Sequence, residues 1–236
     1  MLNVGFEMMP TTKSANWLKG RLPGWRSLEQ RFVGSVIPEG FDAYARILHP
    51  AERRVPGGSW RPWKWSDMAA EDGMVVDPQT SFERVFGRFS RNSPRWLQTP
   101  DRRMGENECR SLVGVLKEFT ATTERCYFCL WRGYGGLLEG RRWNKGTVRL
   151  PDRQGEKYVL FTGPLNAILS FYGYVDGRWW GQPPDFWWPE DLEWCVASNI
   201  DSYDTCVGGS GPCIEAVLEQ PDLEAFPIGL EDRQVL

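Results

Sequence analysis

The chain has one histidine, His49, no long apolar run, and no second CxxC beside Cys126 and Cys129. Each scarcity closes off some chemistry. With one imidazole, any catalytic triad or multi-histidine metal site must be built around His49, and no serine or cysteine motif supplies a partner. Local hydrogen bonding before Pro50 is the better reading of that residue. Without an apolar stretch of about 18 residues, no membrane-spanning helix is expected. The opening MLNVGFEMMPTTKSANWLKG has no basic start, apolar core or small-residue cleavage site. No signal peptide is read there, and a cytoplasmic location with reduced thiols is expected. Cys126 and Cys129 lie in a β-prone run, RCYFCLW, where residues three apart face opposite sides of a strand. The other four cysteines add no ligand spacing, so neither a metal nor a cofactor is expected.

What is present is ordinary globular material with an uneven charge. The 236 residues are 41% hydrophobic and 25% charged, enough for one α+β domain that buries about 72% of its unfolded surface. Residues 1–110 carry a net +4 and residues 111–236 a net −7, and from Asp185 to Leu236 there are twelve acidic residues against one basic, Arg233. That acidic end disfavours a nucleic-acid footprint and suits a basic protein partner, although a solvated acidic face is the plainer reading. Six arginines between Arg84 and Arg103, with Arg84/Arg88 and Arg91/Arg95 at helical spacing, are expected to pair with acids inside the molecule rather than with nucleic acid.

Tryptophan is the most concentrated feature. Between Arg178 and Trp194 five of them fall in seventeen residues (RWWGQPPDFWWPEDLEW), interrupted by Pro183, Pro184 and Pro189. Read as a prolyl loop, this segment cannot bury its own rings, each with roughly 150–250 Å² to remove from water. They either pack under the rest of the protein or meet a ligand or partner; burial of Trp194 and of one of Trp187 or Trp188 is expected.

The remaining pattern is an antiparallel sheet with helices packed on it. Residues 1–107 read as the loop-rich part of a single domain spanning 1–236. They hold a short helix near 27–36 and a strand from Phe41 to Leu48, with Phe41, Ala43, Ala45 and Ile47 on its core side. A turn at Pro56–Gly58, a helix over 67–72 capped by Ser66, and irregular chain over 74–107 complete that part. Residues 108–236 are more regular. Cys109, Leu112, Val113, Leu116 and Phe119 have helical spacing, and Cys126–Trp131 reads as a buried strand closed by Gly133–Gly136. Two strand-strand-helix units then follow: 147–150 and 158–161 around the turn 151–156, and 194–200 and 205–207 around 201–204. Each leads into a helix opened by Gly-Pro, at 163–164 and 211–212.

Gly208-Gly-Ser-Gly-Pro212 lacks the lysine of a phosphate-binding loop and reads as a tight turn with Ser210 or Gly211 as cap. Glu190, Asp191, Asp201 and Asp204 lie near the tryptophans in sequence, as in a sugar-binding or sugar-cleaving cleft, which needs two carboxylates roughly 5–10 Å apart. Aspartate is also common beside turns for backbone reasons.

The runs FDAYARILHP (41–50), ATTERCYFCLWRGYG (121–135), YVLFTGPL (158–165) and WWPEDLEWCVASNIDSYDTCVGGS (187–210) resemble those of a family of uncharacterised actinobacterial proteins. The resemblance covers most of the chain and implies a single-domain unit without implying an activity. This chain departs from it at Leu192-Glu193, where a basic residue is expected, and at Cys206, where a larger apolar or aromatic one is.

The expected function is therefore non-enzymatic binding of a macromolecule, of the immunity type that neutralises a basic toxin. Trp179, Trp180, Trp187, Trp188, Glu190, Asp191, Asp201 and Asp204 are the expected binding residues. The competing expectation is a small-ligand or carbohydrate binder, or a hydrolase, with its site under the tryptophan segment. Convergent carboxylates in a concave pocket would favour the second, and exposed rings on a flat acidic face the first.

Overall fold

The computed structural model describes residues 5–22, 32–89, 94–134, 147–150, 157–175 and 178–234, without the side chains at 174, 175 and 178–180. Its strands are β1 (Glu7–Met8), β2 (Ala43–Leu48), β3 (Ala51–Arg54), β4 (Trp60–Trp63), β5 (Leu97–Gln98), β6 (Cys126–Trp131) and β7 (Thr147–Arg149). These are followed by β8 (Lys157–Gly163), β9 (Tyr172–Val175), β10 (Arg178–Gly181), β11 (Phe186–Pro189), β12 (Trp194–Ser198), β13 (Asp204–Gly209) and β14 (Glu224–Ile228). Helices are α1 (Asn16–Arg21), α2 (Trp65–Glu71), α3 (Phe82–Phe86), α4 (Glu106–Leu116) and α5 (Gly211–Leu218), with a 3-10 helix over Leu165–Phe171. The chain is thus an α+β protein whose helices pack on antiparallel sheets.

Nine strands form one antiparallel sheet in the order β1-β8-β6-β11-β12-β13-β2-β14, with β7 also paired to β8. Side chains along each strand alternate between two cores. On one face Phe128, Trp187, Trp194, Val196, Val207, Ala45 and Ile47 meet α4, α5 and the 3-10 helix. On the other, Tyr127, Cys129, Trp188, Cys195, Cys206 and Tyr44 meet α1 and the chain from Val33 to Ile37. Cys126 and Cys129 fall in different cores, as a period of two requires. Both faces of β2 are covered, so Tyr44 and Leu48 are buried as well as Ala45 and Ile47.

The largest departure from expectation is the tryptophan segment, which is strand rather than loop. Phe186–Pro189 is β11, placed centrally between β6 and β12, and Arg178–Gly181 is β10, a hairpin partner of β9. The prolines permit this by position. Pro183 and Pro184 lie in the connection before β11, and Pro189 ends it, pairing with Cys126 beyond the last β11–β12 pair, where a missing N–H costs little. Leu192 turns the chain back at φ 61°, a left-handed conformation that a branched side chain adopts only under local constraint.

Both strand-strand-helix runs are present, and their helices lie on the same face of the sheet. They are not equivalent: the first ends in a 3-10 helix, and β6 and β11 separate β8 from β12. Ser210 caps α5, its Oγ accepting from the Cys213 N–H at 3.4 Å. The expected turn over 151–156, Gly135–Gly136 and the first half of the helix near 27–36 lie outside the described residues; in the second half, Val33–Ser35 forms one 3-10 turn.

Residues 51–89 and 94–98 build a smaller unit. Strands β4-β3-β5 form a three-stranded sheet, one face of which packs Ala51, Trp63 and Leu97 against α2 and α3. The stretch expected to be irregular thus holds α3 and β5. Ser66 does not cap α2. The carboxylate of Glu224 does so from another element, accepting the N–H groups of Trp65 and Ser66 at 2.7 and 2.8 Å. Lys64 Nζ donates to the Pro221 and Leu223 carbonyls at 2.7 and 3.3 Å, so the small sheet is fastened to the start of β14.

Candidate functional site

The expected binding residues do not come together. Trp187 and Trp188, 2% and 0% exposed, point into opposite cores of the central sheet. Trp187 meets Trp194 edge-on at 5.4 Å, while Trp188 packs against Trp17 and Tyr127 at 5.6 and 5.8 Å. Their assignment to a binding surface is corrected to a core role, because a strand paired on both edges in a sheet covered on both faces leaves no ring at the surface. Of Trp179 and Trp180, only the backbone is described, in β10.

The four carboxylates separate into two pairs. Glu190 is exposed and paired with Arg125 at 2.9 Å, and Asp191 accepts from Thr120 Oγ1 and the Ala121 N–H, bracing the turn before β12. Asp201 belongs to the turn after β12, where its N–H donates to Asn199 Oδ1 at 2.9 Å. Asp204 is buried, paired with Arg46 at 2.8 Å and accepting from Ser202 Oγ. The length of β12, on the order of 15 Å, lies between the pairs. They cannot serve one glycosidic bond, so the carbohydrate-cleaving arrangement expected beside the tryptophans is absent from these residues.

A different cleft is present, between the small sheet and the N-terminal turn of α4. Its two adjoining lobes have volumes of about 460 and 250 Å³ and share Pro50, Pro62, Asn107 and Glu108. Glu52 and Gln98, opposed in register across β3 and β5, line the smaller lobe, Asp222 lines the larger, and Glu108 borders both. Several charges here are already matched: Arg103 with Asp101 and Arg110 with Glu106, both at 2.7 Å. Glu52 and Glu108 have no cation within ion-pair distance among the described residues, and Asp222 accepts only from the Ser111 hydroxyl and carries no cation. Glu108 is 8% exposed, and its carboxyl folds over Gly105, where any Cβ would collide with it. Burial holds the Glu108 carboxyl above its ordinary pKa, and the charges on Glu52 and Asp222 push the same way.

His49 closes the smaller lobe. Its Nδ1 lies 2.9 Å from the Asp101 carbonyl, which can only accept, so Nδ1 donates. Nε2 then accepts from Thr205 Oγ1 at 2.9 Å, and Thr205 Oγ1 accepts in turn from Ser198 Oγ at 2.8 Å. Burial depresses the imidazole pKa, which keeps it neutral. The local role expected for His49 becomes a longer one, tying β12, β13 and the chain at Asp101 to the end of β2. The six cysteines offer no nucleophile. All are buried, and burial pushes the Cys109, Cys126 and Cys213 thiols up to about 12.

Sequence reasoning missed Glu52, Glu108 and Asp222 because nothing local unites them. Their one sequence signal is Glu108 itself, a carboxylate set directly before the apolar stripe Cys109–Leu112–Leu116. No described group of His, Cys, Asp and Glu forms a metal cluster, and no described helix is long and apolar enough to cross a membrane. No family model matches the chain, and no curated protein or solved structure does.

Proposed function

We propose that this chain is a binding protein that receives a cationic group of a basic partner in the cleft between β3–β4 and α4. The observation that carries this reading is that Glu52 and Asp222 line adjoining lobes of one cleft, with Glu108 bordering both, and that none of the three is ion-paired among the described residues. A guanidinium or ammonium placed there would gain charge-assisted hydrogen bonds and offset the burial, and after it the neighbouring charges, that hold Glu108 toward protonation. Such complementarity speeds association and selects the partner, as an immunity-type protein requires. This reading keeps a macromolecular partner but moves the surface away from the tryptophans, and of the three acids only Asp222 belongs to the acidic end of the chain.

A second reading has one observation in its favour. The cleft is concave and of ligand size, and a carboxyl pushed toward protonation beside ionised ones is an arrangement that hydrolases use. Calorimetric titration with a hexa-arginine peptide separates the two readings, with spermidine as the small-cation comparator. The binding reading expects peptide affinity that weakens as salt rises and drops at least tenfold in the Glu52→Gln/Glu108→Gln/Asp222→Asn variant. It also expects no such drop in Glu231→Gln/Asp232→Asn, which alters acids outside the cleft. Equal loss in both variants would reduce the effect to net charge and overturn it. Spermidine binding as tightly as the peptide would favour the small-ligand site.

A further inference from the structure

The face of the small sheet that walls the cleft continues beyond it. Side chains of β3 that share a face are two residues apart, about 7 Å along the strand, so the face that carries Glu52 next carries Arg54. Register sets their neighbours: Glu52 stands between Pro62 and Gln98, and Arg54 is opposed to Trp60. Arg53, Arg61 and Leu97 belong to the opposite face with Trp63, and Trp96 meets Trp63 there.

The row beyond the cleft is open. Trp60 is 40% exposed and touches no other ring among the described residues, an unusual state for a side chain with so much area to bury. Arg54 is exposed and, among the described residues, paired with no acid, Glu52 included. Its guanidinium leans away from Glu52 over the turn at Gly58, where a Cβ would stand 3.5 Å from Nη2. One face thus offers an unpaired carboxylate, an unpaired guanidinium about 7 Å further on, and a bare indole beside the guanidinium.

We infer that Arg54 and Trp60 select the partner of the cleft, which docks an extended segment carrying a lysine or arginine two residues from a carboxylate. This rests on the cleft as the site of the cation. An extended chain presents residues i and i+2 on one side at the same spacing, so its cation meets Glu52 while its carboxylate meets Arg54. Backbone and aliphatic stems of the segment cover the Trp60 indole, and tryptophan and arginine are the side chains that most often dominate the energy of an interface. A uniformly basic segment brings a second cation against Arg54, and that repulsion keeps the acids of the cleft from accepting every polycation alike.

Fluorescence anisotropy on the full chain with two labelled peptides, Gly-Ser-Thr-Arg-Thr-Glu-Thr-Ser-Gly and the same sequence with Gln for Glu, tests the inference. By net charge alone the Gln peptide, the more basic of the two, would bind this acidic chain more tightly. The inference expects the Glu peptide to bind about threefold more tightly, within the range of an exposed ion pair. Arg54→Glu should reverse that order, whereas Trp60→Ala should weaken both peptides at least fivefold and keep it. Both substitutions alter exposed side chains, and an unchanged circular dichroism spectrum verifies the fold; should Arg54→Glu unfold, Arg54→Gln decides by abolishing the preference. A Gln peptide that binds wild type as tightly as the Glu peptide, a preference for Glu that survives Arg54→Glu, or affinities unmoved by Trp60→Ala would overturn the inference. The cleft reading would stand in each of those cases as long as both peptides lose affinity in Glu52→Gln/Glu108→Gln/Asp222→Asn. Affinities unchanged in that triple variant, or no binding of either peptide to wild type, would overturn the cleft reading and this inference with it.

Discussion

Trp187, Trp188 and Trp194 stand in a nine-stranded sheet covered on both faces, whereas Trp60 and Trp96 stand at the open end of a three-stranded sheet that packs one face against helices. The first three are 0–2% exposed and the last two about 40%. Density of rings along the chain thus says little about which of them reach solvent. Position in a sheet decides it, because a central strand hands successive side chains to two cores, while near the ends of the short strands cover is incomplete even for Trp96, which still meets Trp63 and Phe89. Surface chemistry follows the same division. The central sheet spends its polar groups internally, as in Arg46–Asp204 and His49–Thr205, and the small sheet borders the acidic cleft.

Substitution to alanine breaks or sharpens that contrast most strongly. Trp188→Ala should cost about 3–5 kcal/mol in urea unfolding, the range for removing a buried aromatic, while Trp60→Ala should fall within about 0.5 kcal/mol of wild type. Similar losses at both positions would mean that the small sheet is as enclosed as the large one.

A smaller effect, opposite in sign, is expected at the cleft. The Glu108 carboxyl has its pKa raised in the folded state, first by burial and then by Glu52 and Asp222, so the folded chain binds a proton more readily than the unfolded one. The ionised form therefore destabilises the fold at neutral pH. Glu108→Gln should raise the melting temperature there. Its advantage should shrink as pH falls through the raised pKa and vanish below about 4.5, the ordinary value. A gain independent of pH would show that ionisation of the Glu108 carboxyl is not the cause.

What the sequence made legible follows the same physical line. Strand β2, the β12–β13 hairpin and the Gly-Pro start of α5 were readable from alternation and turn chemistry, which act over a few residues. Strand β11 was not. Phe-Trp-Trp shows no alternation because both its faces are buried, and the flanking prolines read as a loop when they in fact bound the strand. The acidic cleft was invisible for another reason: Glu52, Glu108 and Asp222 meet only when the small sheet, α4 and the chain before β14 are docked, partly through the capping of α2 by Glu224. No local pattern encodes that meeting, and the sequence-proximal carboxylates Asp191 and Asp204 proved to be braces at opposite ends of β12.

The sorting of tryptophans by sheet can be measured directly. Limited oxidation of the native protein with N-bromosuccinimide, followed by peptide mass mapping, reads the accessibility of each indole. The structure predicts early modification of Trp60 and Trp96, with Trp187, Trp188 and Trp194 protected until the protein unfolds. Oxidation of Trp187 or Trp188 at the same rate as Trp60 would contradict the placement of β11 at the centre of the sheet.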